Sequence, residues 1–157
     1  MKPIPEGYHT VTPNFTFKDS RKAIEFYKKA LGAVELAVFP APGGKGVMHA
    51  VLKIGNSIIM MGDENPEMNC RSAESLGASP ISLYVYVENA DAAFKKAVAA
   101  GAAATTPLQD AFWGDRFGVV KDPFGYSWNI ATHTKDLTPE QLQKAAEEAM
   151  AHVAGRK

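Results

Sequence analysis

Asp19-Ser20-Arg21-Lys22-Ala23-Ile24-Glu25-Phe26-Tyr27-Lys28-Lys29-Ala30-Leu31-Gly32 follows the apolar run Phe15-Thr16-Phe17. The chain repeats this pattern where residues 89–101, with Phe94-Lys95-Lys96-Ala97 among them, follow Leu83-Tyr84-Val85-Tyr86-Val87. Asn89 stands 70 positions after Asp19, and the same 70 positions separate Ile54-Gly55-Asn56-Ser57-Ile58 from Phe124-Gly125-Tyr126-Ser127-Trp128. One offset shared by a strand, a helix and a late turn marks a duplicated module.

Working outward from the first copy, alternation over residues 11–17 predicts a strand, and Asp19 or Ser20 can cap a helix whose apolar face is Ala23, Ile24, Tyr27, Ala30 and Leu31. Gly32 closes that helix as a C′ residue. Strands are expected over 34–39, 47–54 and 57–61, with Pro40-Ala41-Pro42-Gly43-Gly44 and Gly55-Asn56 as turns. The order is β-α-β-β-β. The second copy repeats it with strands at 82–87, near 103–107, at 117–121 and 127–132, and a helix over 91–100. Module one therefore spans about 7–62 and module two 80–133. Residues 63–79 lack periodicity and read as a linker. Thr138-Pro139-Glu140-Gln141 has capping-box spacing with proline at N1, opening a terminal helix over 138–153 outside the repeat. The fold class expected is α+β, a single domain over 1–157.

Composition narrows the partners. Modules near 70 residues bury too little surface alone, so the two halves of this 157-residue chain are expected to share a core. Lys+Arg and Asp+Glu both number 17, which leaves no electrostatic footprint for nucleic acid or an anionic membrane. The lone Cys70 excludes an internal disulfide, and no apolar run has the length of a signal or a membrane span. A cytoplasmic protein is the expectation.

A sheet covered by a helix on one face presents its other residues elsewhere. Phe15 and Phe17 are expected to meet the first helix, leaving Thr12, Asn14 and Thr16 opposite. Leu83, Val85 and Val87 are expected to meet the second, leaving Ser82, Tyr84 and Tyr86. The same parity assigns Ile58 and Trp128 to the helix side, and Ser57, Ile59, Ser127 and Asn129 to the free side. Aromatic, hydroxyl and amide groups on a duplicated, curved sheet are the lining of a ligand cleft; the alternative is a face that is solvated or packed in a dimer.

The paired modules, the stretch from Phe17-Lys18-Asp19 through Leu31-Gly32-Ala33, and Asp122-Pro123-Phe124-Gly125 before the final strand resemble the vicinal oxygen chelate superfamily, which includes glyoxalase I, bleomycin-resistance proteins and extradiol dioxygenases. Gly7-Tyr8-His9-Thr10-Val11-Thr12-Pro13, Met48-His49-Ala50, Phe112-Trp113-Gly114-Asp115-Arg116 and Ala131-Thr132-His133 resemble its PhnB-like branch. The resemblance, over roughly 7–138, implies an eight-stranded, incompletely closed barrel around a cavity. It also implies a metal held in enzymatic members by His, Gln or Glu from four strand positions. Here those positions fall on Thr12, at or beside Ile59, on Ser82 and on Asn129, none of which carries a carboxylate or an imidazole. Hydroxyls and one amide hold a transition metal poorly, so no metal ligands and no cofactor are expected.

Other groups bear on chemistry. His49 is expected to point into the cleft as ligand, general base or hydrogen-bond donor, or else to be satisfied by a backbone neighbour. His9 and His133 can pair at strand ends, and His152 is expected to be exposed. Trp113 and Arg116 can grip a flat or anionic ligand by stacking and bidentate hydrogen bonds, or instead form a turn with Trp113 as anchor. Cys70 lacks a partner base and reads as a free thiol. Gly43-Gly44-Lys45-Gly46 precedes no helix, so it is a hairpin turn rather than a phosphate loop. The ligand pocket predicted is Thr12, Asn14, His49, Ser82, Tyr84, Trp113, Arg116 and Asn129, with His49 as the candidate catalytic residue. The first reading is a small-molecule-binding homodimer of bleomycin-resistance type with a metal-free cavity. The alternatives are a glyoxalase-type lyase or isomerase using a divalent ion near His49, and a structural dimerisation module whose cavity is filled by Tyr84, Tyr86 and methionines.

Overall fold

The computed structural model describes residues 1–154 and contains both copies of the module. The first runs β1 (Asn14–Phe17), α1 (Ser20–Leu31), β2 (Val34–Pro40), β3 (Val47–Ile54) and β4 (Ser57–Asp63). After a connection holding the single-turn helix α2 (Ala73–Leu76), the second runs β5 (Ser82–Tyr86), α3 (Ala90–Ala99), β6 (Ala103–Asp110), β7 (Asp115–Lys121) and β8 (Ser127–His133). The strand order is β1-β4-β3-β2 in one sheet and β5-β8-β7-β6 in the other. In each, the first strand lies parallel to the last and the remaining pairs are antiparallel. The fold is mixed α+β, as expected.

Local chemistry explains the ends of the elements. The Asp19 carboxylate accepts the Lys22 amide at 3.1 Å, and the Asn89 side chain accepts the Ala92 amide at 2.9 Å. Gly32 takes the left-handed conformation at φ 66° that terminates α1. The reciprocal bonds of a capping box open α4 (Pro139–Ala154): the Thr138 amide donates to Gln141 Oε1 at 2.9 Å, and the Gln141 amide donates to Thr138 Oγ1 at 3.3 Å. The connection between modules is more structured than its sequence implied. It forms a 3-10 turn over Pro66–Met68 and then α2, capped by the Ser72 hydroxyl. Elements of one turn leave no periodicity to read.

Two expectations are corrected. The eight strands form two separate four-stranded sheets, and no strand of one pairs with a strand of the other, so two sheets stand in place of one eight-stranded barrel-like sheet; that it is left open agrees with the incomplete closure expected. What joins the modules is the core beneath the helices. Phe15 lies 5.0 Å from Tyr126 and 5.8 Å from Trp128, and Tyr27 lies 5.3 Å from Trp128. At this seam the buried Asp122 carboxylate accepts the Tyr27 hydroxyl at 2.6 Å, the Trp128 indole N–H at 2.9 Å and the amides of Phe124 and Tyr126. A buried charge needs donors of this kind to offset its desolvation. Burial and the facing Asp122 push the Tyr27 phenol well above its ordinary pKa, so it remains a donor.

The second correction concerns faces. Phe15 registers with Met61, and Leu52 with Ile59, so Ile59 and Ser57 lie on the helix side of β4 while Ile58 lies on the free side. Both isoleucines are buried, at 6% and 3% exposure, which is why composition alone gave no sign of the true phase. In module two the expected phase is found: Trp128 and Ile130 register with Leu83 and Val85 beneath α3.

Candidate functional site

The strands of module two place a row of side chains on the face opposite α3. Ser82 registers with Ser127, Tyr84 with Asn129 and Tyr86 with Ala131; across β8, Lys121 registers with Ser127, Val119 with Asn129, Phe117 with Ala131 and Asp115 with His133. Tyr84 and Tyr86 stack at 5.7 Å and 28° and are 46% and 62% exposed, so this aromatic pair faces solvent in the isolated chain. Ala131 is fully buried between Phe117 and Tyr86, leaving a low floor between larger rings.

At the end of this face lies a cluster that sequence reasoning missed. Asp115 is 3% exposed. Its Oδ1 lies 2.8 Å from His133 Nδ1, and its Oδ2 accepts the Tyr86 hydroxyl and the Trp113 indole N–H, each at 3.0 Å. His133 Nε2 lies 3.0 Å from Asp136 Oδ1. Burial pushes the Asp115 carboxyl up, but the hydrogen bonds from His133, Tyr86 and Trp113 outweigh it and hold it below its ordinary pKa. The bonds to Asp115 and Asp136 raise that of His133. Sequence alone offered one signal: Asp115 and His133 fall on free-side positions of adjacent strands. His133 pairs with these carboxylates rather than with His9.

The eight predicted pocket residues divide between two sheets. Thr12, just before β1, donates its hydroxyl to the His9 carbonyl at 3.1 Å; Asn14 is exposed on β1. His49 is half-buried on the free side of β3, stacked on Phe39 at 6.2 Å. On the other sheet, Ser82, Tyr84 and Asn129 share the open face, and Asn129 Nδ2 donates to the Leu83 carbonyl at 3.3 Å. Trp113 sits in the β6–β7 turn, 4.9 Å from Phe117. Arg116 points the other way. Its register with Thr132 places it on the α3 side, where Nε and Nη2 hold both oxygens of Asp91 at 3.0 and 2.8 Å. His9 and His152 are exposed, as is the free thiol Cys70.

A groove of about 770 Å³ runs along edge strand β5, between the modules. Leu31, Ile54, Ile58, Val85 and Trp128 give it an apolar lining, with His9 and Lys96 at its polar points. Tyr84 and Tyr86 border both this groove and the open face.

The family metal is a poor fit to the donors present. Thr12 and Ser82 bring only hydroxyls, Asn129 brings one amide oxygen, and the free-side side chains of β4 are the apolar Ile58 and Met60. Among the described residues, no three His, Cys, Asp or Glu side chains are arranged to hold a metal.

The chain belongs to the Glyoxalase/Bleomycin resistance protein/Dioxygenase superfamily, whose family model matches residues 9–130. It is 38% identical over 138 residues to an uncharacterized protein of Mycobacterium bovis, Mb0911c, covering 86% of this chain and 90% of that protein. Among solved structures, it superposes on TioX from Micromonospora sp. ML1 with a TM-score of 0.62 at 26% identity, covering 83% of this chain and all of TioX. A PhnB protein from Bacillus cereus shares the fold at a TM-score of 0.62 and 22% identity, with 79% of this chain and 99% of that one covered.

Proposed function

We propose that the chain is a small-molecule-binding protein of the PhnB-like branch, taking its ligand against Tyr84 and Tyr86 without a resident metal. One observation carries this reading: a stacked, exposed tyrosine pair stands where the groove between the modules meets the open face of the second sheet. Exposed aromatic pairs of this kind offer contact area at low entropic cost, and an apolar groove with few convergent polar groups is the usual form of a ligand site. The PhnB protein of Bacillus cereus is a fold relative in keeping with that branch. His49, set against Phe39, supplies a hydrogen bond or a stacking surface rather than a metal ligand.

The working unit in this reading is a homodimer in the cytoplasm. Each sheet ends in two unpaired edge strands, β1 and β2 in one and β5 and β6 in the other, and such edges favour pairing with a second copy. A partner's sheet laid over the open face would complete the cavity and bury Tyr84 and Tyr86.

The test is a thermal-shift screen of flat aromatic compounds against the wild type, Tyr84→Ala and His49→Ala. Stabilisation that is lost in Tyr84→Ala supports the reading. A shift produced only by divalent metal and lost in His49→Ala would replace it with the lyase or isomerase reading.

A further inference from the structure

We propose that His133 Nε2 is the anion-binding donor of the open face, taking the carboxylate of a flat aromatic ligand in the place now held by Asp136. This rests on the reading that the ligand lies over Tyr84 and Tyr86, and adds its chemical class and its anchor.

The argument begins with Asp115. It is a buried carboxylate that accepts from His133, Tyr86 and Trp113, an arrangement only the ionised form satisfies fully. His133 then has carboxylate oxygens at both ring nitrogens, 2.8 Å from Nδ1 and 3.0 Å from Nε2. Ionised carboxylates accept and do not donate, so with both ionised each ring nitrogen is placed to donate, the arrangement an imidazolium satisfies. The inner bond is permanent furniture, fixed by the burial of Asp115. The outer one is not: Asp136 is fully exposed and lies in the link between β8 and α4. An exposed pair of this kind holds weakly. It nevertheless shows that the geometry at Nε2 accepts a carboxylate oxygen.

The surroundings select what can replace Asp136. Tyr86 is tethered by its hydroxyl to Asp115, which places the Tyr84–Tyr86 stack beside the imidazolium, with Ala131 as the floor and Phe117 and Trp113 on the far side. A planar ring can lie on that surface while its carboxylate reaches Nε2. Lys121 stands at the opposite end of this face, the exposed Lys135 follows in the link to α4, and Arg116 is engaged with Asp91 beneath the sheet; of the cations here only His133 shares Asp115 with the tethered Tyr86. The anchor is therefore His133. The titratable groups facing it are Asp115, Asp136 and, through Asp115, Tyr86.

The experiment titrates benzoate, with benzamide as the neutral isostere, into isotope-labelled full-length protein, following the Tyr84, Tyr86 and His133 ring resonances by NMR. Benzoate is expected to move all three, and benzamide to bind at least several-fold more weakly. Asp136→Asn should tighten benzoate about two- to fivefold by removing the internal competitor. His133→Gln should weaken it about tenfold or more. Wild-type affinity should fall as pH rises through the His133 pKa. Equal binding of benzamide, or no gain in Asp136→Asn, would overturn the proposal even if His133→Gln folds poorly. Shifts confined to groove residues such as Ile58 and Val87 would overturn this anchor while leaving a small-molecule site in place. Absence of any benzoate effect would overturn the anchor as well, leaving the broader reading to the aromatic screen.

Discussion

Single residues at two carboxylates govern this molecule. Asp122 ties module one to module two through the Tyr27 hydroxyl and the Trp128 indole, both in the core. Tyr27→Phe keeps the ring but withdraws one donor from a buried charge, and a loss of about 1–3 kcal/mol in unfolding free energy is expected by denaturant titration. At Asp115 the outcome depends on pH. His133 has a raised folded-state pKa, so its contribution to stability is fully present below about pH 6.5 and is lost as pH rises through the folded value. Asp115 is lowered, so its share is present above the ordinary carboxylate pKa and is lost as pH falls through the folded value. The Tm advantage of wild type over His133→Gln should therefore be greatest near pH 6 and shrink toward pH 9; an advantage flat across that range would contradict the imidazolium assignment. Neither carboxylate network was legible in the sequence. Hydrogen bonds between residues 95 or 18 positions apart, such as Tyr27 to Asp122 and His133 to Asp115, leave no local pattern.

Elements were legible where their chemistry is local. Asp19, one of the two caps the residues allowed, the left-handed Gly32 and the capping box at Thr138 stand where the sequence placed them, while the cap at Asn89 comes from the structure. The phase of β4 was not, because Ile58-Ile59 offers two equivalent apolar residues and only the register with Phe15 and Leu52 decides between them. Likewise α2 was invisible at one turn; it is held by Glu64, which accepts the hydroxyl and amide of Ser72 at 2.6 and 2.8 Å. Hydrogen bonds from Ser72 hold the Glu64 pKa down at about 2. That contribution is present above pH 4.5 and is lost as pH falls toward 2. Amide protection across residues 72–77, corrected for the intrinsic exchange rate, should therefore be lost in acid before protection in β3 or β8 is. Helix α3 makes a different demand. A Cβ on Gly118 would come within 2.7 Å of the Phe94 ring and 3.2 Å of the Leu108 amide nitrogen. Gly118→Ala is expected to cost about 1–3 kcal/mol as α3 is pushed off the sheet, measured by thermal or urea unfolding.

For the whole molecule, the duplication is what the sequence conveyed best, since a constant offset survives whatever the tertiary arrangement. The arrangement itself was less legible. The modules share a core under their helices, and the second sheet keeps Tyr84 and Tyr86 exposed on its free face, so closing a cavity is a matter for surfaces the single chain does not pair. A dimer should appear by sedimentation at micromolar concentration, and a monomer there would count against a cavity completed by a second copy. The central claim is a ligand site on Tyr84 and Tyr86 that does not depend on metal. Its most direct test is a thermal-shift measurement with the best-stabilising aromatic carboxylate, made with and without chelator, on wild type and Tyr84→Ala. The account predicts a Tm rise in wild type that chelator leaves unchanged and Tyr84→Ala abolishes. A rise that chelator removes and Tyr84→Ala retains would contradict it.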